Sequence, residues 1–183
     1  LSPGGEGVDA DFTPDVLLSD GDVVESDGWA LTARHTPGHF GNHLSFLMGD
    51  VALTGDHLMG WATSLVSPPD GDLTDFMASC AKLSQTTMVR ALPGHGAPIE
   101  DAQTRLADLI AHRKGREAGV RQHLSQVGPS TVAEISSALY TDTPTPLLPM
   151  AQRNVLAHLI DLTNRGIARP DDALSADATF RLS

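Results

Sequence analysis

The 183-residue sequence has a single cysteine, Cys80, so no internal disulfide can form, and a reducing compartment such as the cytoplasm is the expected setting. Aromatic residues make up only 4% of the chain, and no apolar run approaches the roughly 18 residues that a membrane span needs. No basic-then-apolar leader opens it. Positive charge is scarce in the first half: residues 1–103 hold 3 Lys/Arg against 15 Asp/Glu, net −12, which argues against a polyanionic substrate there. Residues 104–183 hold 9 against 8, net +1, and decide nothing by charge. What is present suffices for a packed core, since 40% of residues are hydrophobic and mean hydropathy is −0.10. The chain opens at Leu1 with a Gly/Asp-rich stretch that contains no core element, which reads as the start of a piece of a longer protein.

Residues 14–34 read as short antiparallel strands, with Val16-Leu17-Leu18, Val23-Val24 and Trp29-Ala30-Leu31 separated by turn sequences at Asp20-Gly21-Asp22 and Ser26-Asp27-Gly28. Leu44–Met48 and Val51–Thr54 flank Gly49-Asp50 and predict a hairpin. A long loop over 57–71 leads to a helix capped by Asp72, whose apolar stripe is Leu73, Phe76, Met77, Cys80 and Leu83. Cys80 on that stripe is a core residue. Val89–Leu92 is a short strand stopped by Pro93-Gly94. The remainder is helical: a long helix over about 99–126 that Gly115 and Gly119 can break, a second opened by a capping box at Thr131, and a third over about 149–165. A final hairpin pairs Ile167-Ala168-Arg169 with Thr179–Leu182. Three helices followed by a hairpin is the winged-helix order. The expected organisation is residues 1–103 as one part and 104–183 as a winged-helix-like module.

The hairpin register carries chemistry. With Gly49-Asp50 as the turn, Met48 faces Val51, and the loop bearing His39 leaves at the end where Asp56 emerges. Strand 89–92 delivers His95 from a Pro-Gly turn to the same edge, provided it joins the same sheet. Imidazole nitrogens and a carboxylate suit zinc, and also manganese or iron. On spacing alone, Asp56 serves equally well as a turn aspartate and the histidines as residues that bind no metal; His112, His123 and His158 read as ordinary helix residues.

The segments His35-Thr36-Pro37-Gly38-His39, Leu53-Thr54-Gly55-Asp56 and Leu92-Pro93-Gly94-His95-Gly96, in this order, resemble the later ligand motifs of the metallo-β-lactamase superfamily. The stretch from His57 to Asp72 and the helical tail resemble its bacterial hydrolases that end in a winged helix. The resemblance implies an α/β fold: the C-terminal half of an αββα sandwich followed by a winged helix. It implies that His39 binds one of two divalent metals, zinc first, that His95 binds the other, and that Asp56 bridges them and is the catalytic residue of this chain. His43 and His57 become supporting or substrate-contacting candidates, and Trp61 a candidate for the substrate rim. The implied reaction is metal-dependent hydrolysis of an ester, thioester, lactone or phosphoester by activated hydroxide. The family's His-x-His-x-Asp-His signature is absent from the 183 residues. This chain is therefore expected to be incomplete and inactive alone.

The expected partner is a small-molecule substrate, with a homo-oligomer left open and no membrane. The rival reading is a nucleic-acid-binding or regulatory winged-helix protein whose hydrolase fold is not catalytic. Its third helix offers Arg153, Arg165 and His158, with Asp161 against them. Arg113, Lys114, Arg116 and Arg121 cluster on the long helix and read as a solvated face.

Overall fold

The computed structural model describes residues 11–183, so the Gly/Asp-rich opening lies outside the described residues. Five strands form the first sheet in sequential order: β1 (Val23–Ser26), β2 (Trp29–His35), β3 (Leu44–Met48), β4 (Val51–Gly55) and β5 (Arg90–Pro93). The first four are antiparallel neighbours, and β5 joins β4 in parallel. The β3–β4 register pairs Met48 with Val51, as the Gly49-Asp50 turn dictates. Because β5 runs parallel to β4, both strands end on the same edge, with Leu53 beside Leu92 and Gly55 beside Pro93. That edge is where Asp56 and His95 emerge.

One expected strand does not form. Residues 16–18 are irregular, with Val16 68% and Leu17 84% exposed: among the described residues they pair with no strand, and the outer edge of β1 stays open.

Helix α1 (Leu73–Leu83) packs Leu73, Phe76, Cys80 and Leu83 into the first core together with Ala52 and Ala91 from one sheet face. Asp72 caps it by accepting from the Asp75 amide. On the opposite sheet face Leu31, Phe46, Val51, Leu53 and Leu92 are half-buried and Met48 is exposed.

Helix α2 (Ala102–Val127) runs 26 residues without a break, contrary to the expectation at Gly115 and Gly119. Glycine costs an exposed helix interior only about 1 kcal/mol relative to alanine, too little to end a helix anchored at both ends. Gly119 has a packing reason, since a Cβ there would lie 3.0 Å from Leu139. The N-terminal half of α2 gives Leu106 and Leu109 to the first core, and the C-terminal half gives Val120 and Leu124 to a second. That second core also holds Ile135 of α3 (Val132–Leu139), Val155, Leu159 and Leu162 of α4 (Leu148–Asn164), and Phe180. The capping box at Thr131 and Glu134 forms as expected. Strands β6 (Ser130–Thr131), β7 (Ala168–Pro170) and β8 (Thr179–Leu182) make a small antiparallel sheet in the order β6-β8-β7. β7 and β8 are the predicted hairpin; β6 is an addition to it. Among the described residues, no helix is long and apolar enough to cross a membrane.

Two glycines separate tolerance from constraint. A Cβ added at Gly115 would meet nothing within 4 Å, whereas at Gly38, with φ +136°, that atom would lie 2.3 Å from the Phe76 Cα. Gly115→Ala should raise unfolding free energy by up to about 1 kcal/mol, and Gly38→Ala should lower it by more than about 2 kcal/mol, as read from urea denaturation.

Candidate metal centre

Asp56 follows β4 directly, and its carboxylate stands between two imidazoles. Its Oδ2 lies 3.7 Å from His39 Nε2 and its Oδ1 lies 3.6 Å from His95 Nε2. Both separations are too long for hydrogen bonds. Two atoms that each lie about 2.0–2.1 Å from one zinc at a tetrahedral angle are roughly 3.3–3.4 Å apart, close to what is seen here. The Pro93-Gly94 turn can approach this closely because residue 94 has no side chain: a Cβ on Gly94 would fall 2.7 Å from Asp56 Oδ1.

The protonation of His39 supports the same reading. Its Nδ1 donates to the Leu65 carbonyl at 2.7 Å, and a carbonyl can only accept, so in the neutral ring the proton is on Nδ1 and Nε2 keeps its lone pair. That lone pair faces a carboxylate oxygen, an arrangement that a cation between them would stabilise. The donor set thus fits a divalent metal on each side of Asp56. Among the described residues, no group of three or more His, Cys, Asp or Glu forms a metal-holding cluster. Each ion would find two side chains here: an imidazole and one carboxylate oxygen.

Trp61 joins His39, Asp56 and His95 around a cavity of about 400 Å³. His43 and His57 are not in its lining. His43 is held by Thr36, whose hydroxyl lies 2.9 Å from Nδ1, and burial lowers its pKa. His57 is fully buried, with its ring 4.5 Å from that of Phe76 and Nε2 3.5 Å from Cys80 Sγ. Burial holds His57 neutral by lowering its pKa to about 3, and burial pushes the Cys80 thiol up to about 12. Cys80 is a core residue.

The residues that sequence reading missed are those that hold the loop 57–71. Arg105 donates to the carbonyls of Met59 at 2.8 Å and Ala62 at 2.7 Å. Arg113 donates to the Ser64 carbonyl and, at 2.9 Å, to Asn154 Oδ1. Arg153 reaches Ser67 Oγ at 3.0 Å and the Pro68 carbonyl at 2.9 Å. The loop gripped at these points contains Leu65, the acceptor that orients His39. The solvated-face reading of Arg113 is therefore wrong: it is 3% exposed, with its guanidinium 5.1 Å from the Phe76 ring centre. A signal was available. Arg113 lies on the same stripe as Leu106, Leu109 and Val120, where an apolar residue is expected.

The other basic groups weighed for α4 are also engaged. Arg165 pairs with Glu117 and Asp161, both at 2.9 Å, and His158 is buried at 2% exposure.

Residues 131–176 match the family described as the beta-lactamase associated winged helix domain. The chain is 31% identical over 152 residues to a beta-lactamase-like protein 2 homolog of Caenorhabditis elegans, covering 82% of this chain and 50% of that one. It is 30% identical over 140 residues to an atrochrysone carboxyl ACP thioesterase of Aspergillus fumigatus, covering 69% and 43%. Its fold matches the metallo-beta-lactamase family protein TTHA1429 of Thermus thermophilus with a TM-score of 0.78 at 27% identity, covering 93% of this chain and 55% of that one. The chain belongs to the metallo-β-lactamase superfamily and carries a C-terminal winged helix. It spans about half the length of the curated relatives it matches.

The buried histidines give a pH dependence. Burial, with Arg113 adding repulsion, lowers the pKa of His158 from 6.5 to about 3, and neither ring nitrogen has a hydrogen-bond partner among the described residues. Between pH 6.5 and 3 the unfolded chain binds a proton at this ring that the folded chain does not, so stability falls as pH drops through that window. His158→Leu should reduce that loss by up to about 1.4 kcal/mol per pH unit, measured as urea midpoints between pH 7 and pH 4.5; an unchanged slope would contradict burial of a neutral ring.

Proposed function

We propose that this chain carries one side of the active centre of a metal-dependent hydrolase, with two divalent metals, zinc first, held through Asp56 as a shared carboxylate. The observation that carries the reading is the division of Asp56: one oxygen faces His39 and the other faces His95. When bound, such metals supply a water that loses its proton near neutral pH and a Lewis acid for a carbonyl or phosphoryl oxygen. The chain's own residues do the positioning. Leu65 fixes the His39 tautomer, the Gly94 turn brings His95 against Asp56, and Trp61 borders the space a substrate would enter. Relatives named as thioesterases support an acyl ester or thioester as substrate. The single buried thiol of Cys80 fits a cytoplasmic location.

The nucleic-acid reading gains no support from α4, where Arg153 and Arg165 are both paired within the chain.

With two side-chain ligands per ion, the 183-residue chain should hold zinc weakly and lose it to a chelator of micromolar affinity during dialysis. In the complete protein, Asp56→Asn should lower kcat for thioester hydrolysis by more than about a hundredfold. Tight stoichiometric zinc in the 183-residue chain would overturn the ligand count, and full activity in Asp56→Asn would overturn the role of the carboxylate.

A further inference from the structure

The cavity at the metal centre is not lined by the hydrolase part alone. Tyr140, Leu147 and Met150, which belong to the winged-helix module, line the same space as His39, Asp56 and His95. Leu147 is 48% exposed, Met150 47% and Trp61 72%, so their apolar surface is open to whatever enters. Among the described lining residues there is no Lys or Arg, and Asp56 is the one carboxylate. A substrate segment lying along Leu147, Met150 and Trp61 would therefore find apolar surface and no cationic side chain in the described lining; Arg105, Arg113 and Arg116 stand behind it, engaged with Met59, Ala62, Asn154 and Tyr140. The flanking phosphates of an RNA or a phosphodiester would lose hydration there without compensation, and the −12 balance of residues 1–103 repels them further.

We propose that the winged-helix module supplies an acyl-binding wall: Leu147 and Met150, with Trp61 across the rim, hold the apolar acyl chain of an uncharged ester or thioester whose carbonyl lies at Asp56. This rests on the hydrolase reading above and narrows it to carbonyl substrates with an apolar acyl group. The wall also explains why the module is placed where it is. Residues 140–147 join α3 to α4 and carry Tyr140 and Leu147, Met150 lies in the first turn of α4, and α4 is tied to the site loop through Arg153 and through Asn154, which accepts from Arg113 and from the Val66 amide.

The test measures binding apart from turnover. Thioether analogues, in which a methylene separates sulfur from the carbonyl, are titrated into the full-length protein with acyl chains from acetyl to decanoyl, and affinity is read by calorimetry. Each added methylene should strengthen binding about fourfold until the cavity is filled. The double variant Leu147→Gln/Met150→Gln should flatten that dependence, whereas Val127→Gln, an exposed position outside the cavity lining, should leave it intact. Circular dichroism confirms that each variant is folded. Chain-length dependence that survives in the double variant, no dependence at all, or an oligonucleotide that binds more tightly than the decanoyl analogue would overturn the wall. Turnover of the matching thioesters is scored separately. Chain-length dependence without hydrolysis of any thioester sinks the hydrolase reading and leaves the wall standing; hydrolysis without chain-length dependence does the reverse.

Discussion

A buried guanidinium joins the two cores of this protein. Arg113 stands on α2 between the leucines that enter the first core and the valine that enters the second, and burial lowers its pKa. An unpaired cation in that position would cost several kcal/mol. It is matched by the Ser64 carbonyl, by Asn154 and by the face of Phe76, while its Nε has no partner among the described residues. Each of these contacts comes from a different piece of structure: the site loop, α4 and α1. The charge can stay buried only while all three remain in place, so the loop and the helical module are fixed relative to each other.

That constraint reaches the candidate metal centre in one further step. The loop held by Arg105, Arg113 and Arg153 presents the Leu65 carbonyl, and this carbonyl orients the ring of His39. The orientation of His39, a proposed metal ligand, is therefore linked through Arg153 and Asn154 to the winged helix, and Tyr140, Leu147 and Met150 of the same module line the cavity beside it. On the other flank, the parallel pairing of β4 with β5 and the bare Gly94 bring His95 to Asp56. One side of the centre is set by sheet register and the other by arginine-to-carbonyl contacts.

These two kinds of determinant differ in how readable they are. Register was legible: the Gly49-Asp50 turn fixes which residues of β3 and β4 are opposite, and motif order then carries His39, Asp56 and His95 to one edge. The helical module was legible from its apolar spacing and its capping box at Thr131. The arginine contacts were not, because their carbonyl acceptors lie 43 to 85 residues away along the chain, and a carbonyl has no sequence signature. Gly115 and Gly119 misled for a related reason: propensity weighs about 1 kcal/mol against helix ends packed into two cores. Val16-Leu17-Leu18 has the pattern of a strand, but a local pattern does not say whether a segment docks on a sheet edge, and these residues leave the outer edge of β1 uncovered.

The central claim is that Asp56 is shared between two ions, each with its own histidine. A crystal structure of the metal-loaded full-length protein, with anomalous data at the zinc edge, tests it most directly. Two anomalous peaks are expected, one bonded to His39 Nε2 and Asp56 Oδ2 and the other to His95 Nε2 and Asp56 Oδ1. A single peak that binds both histidines, or metal bound without Asp56, would contradict it.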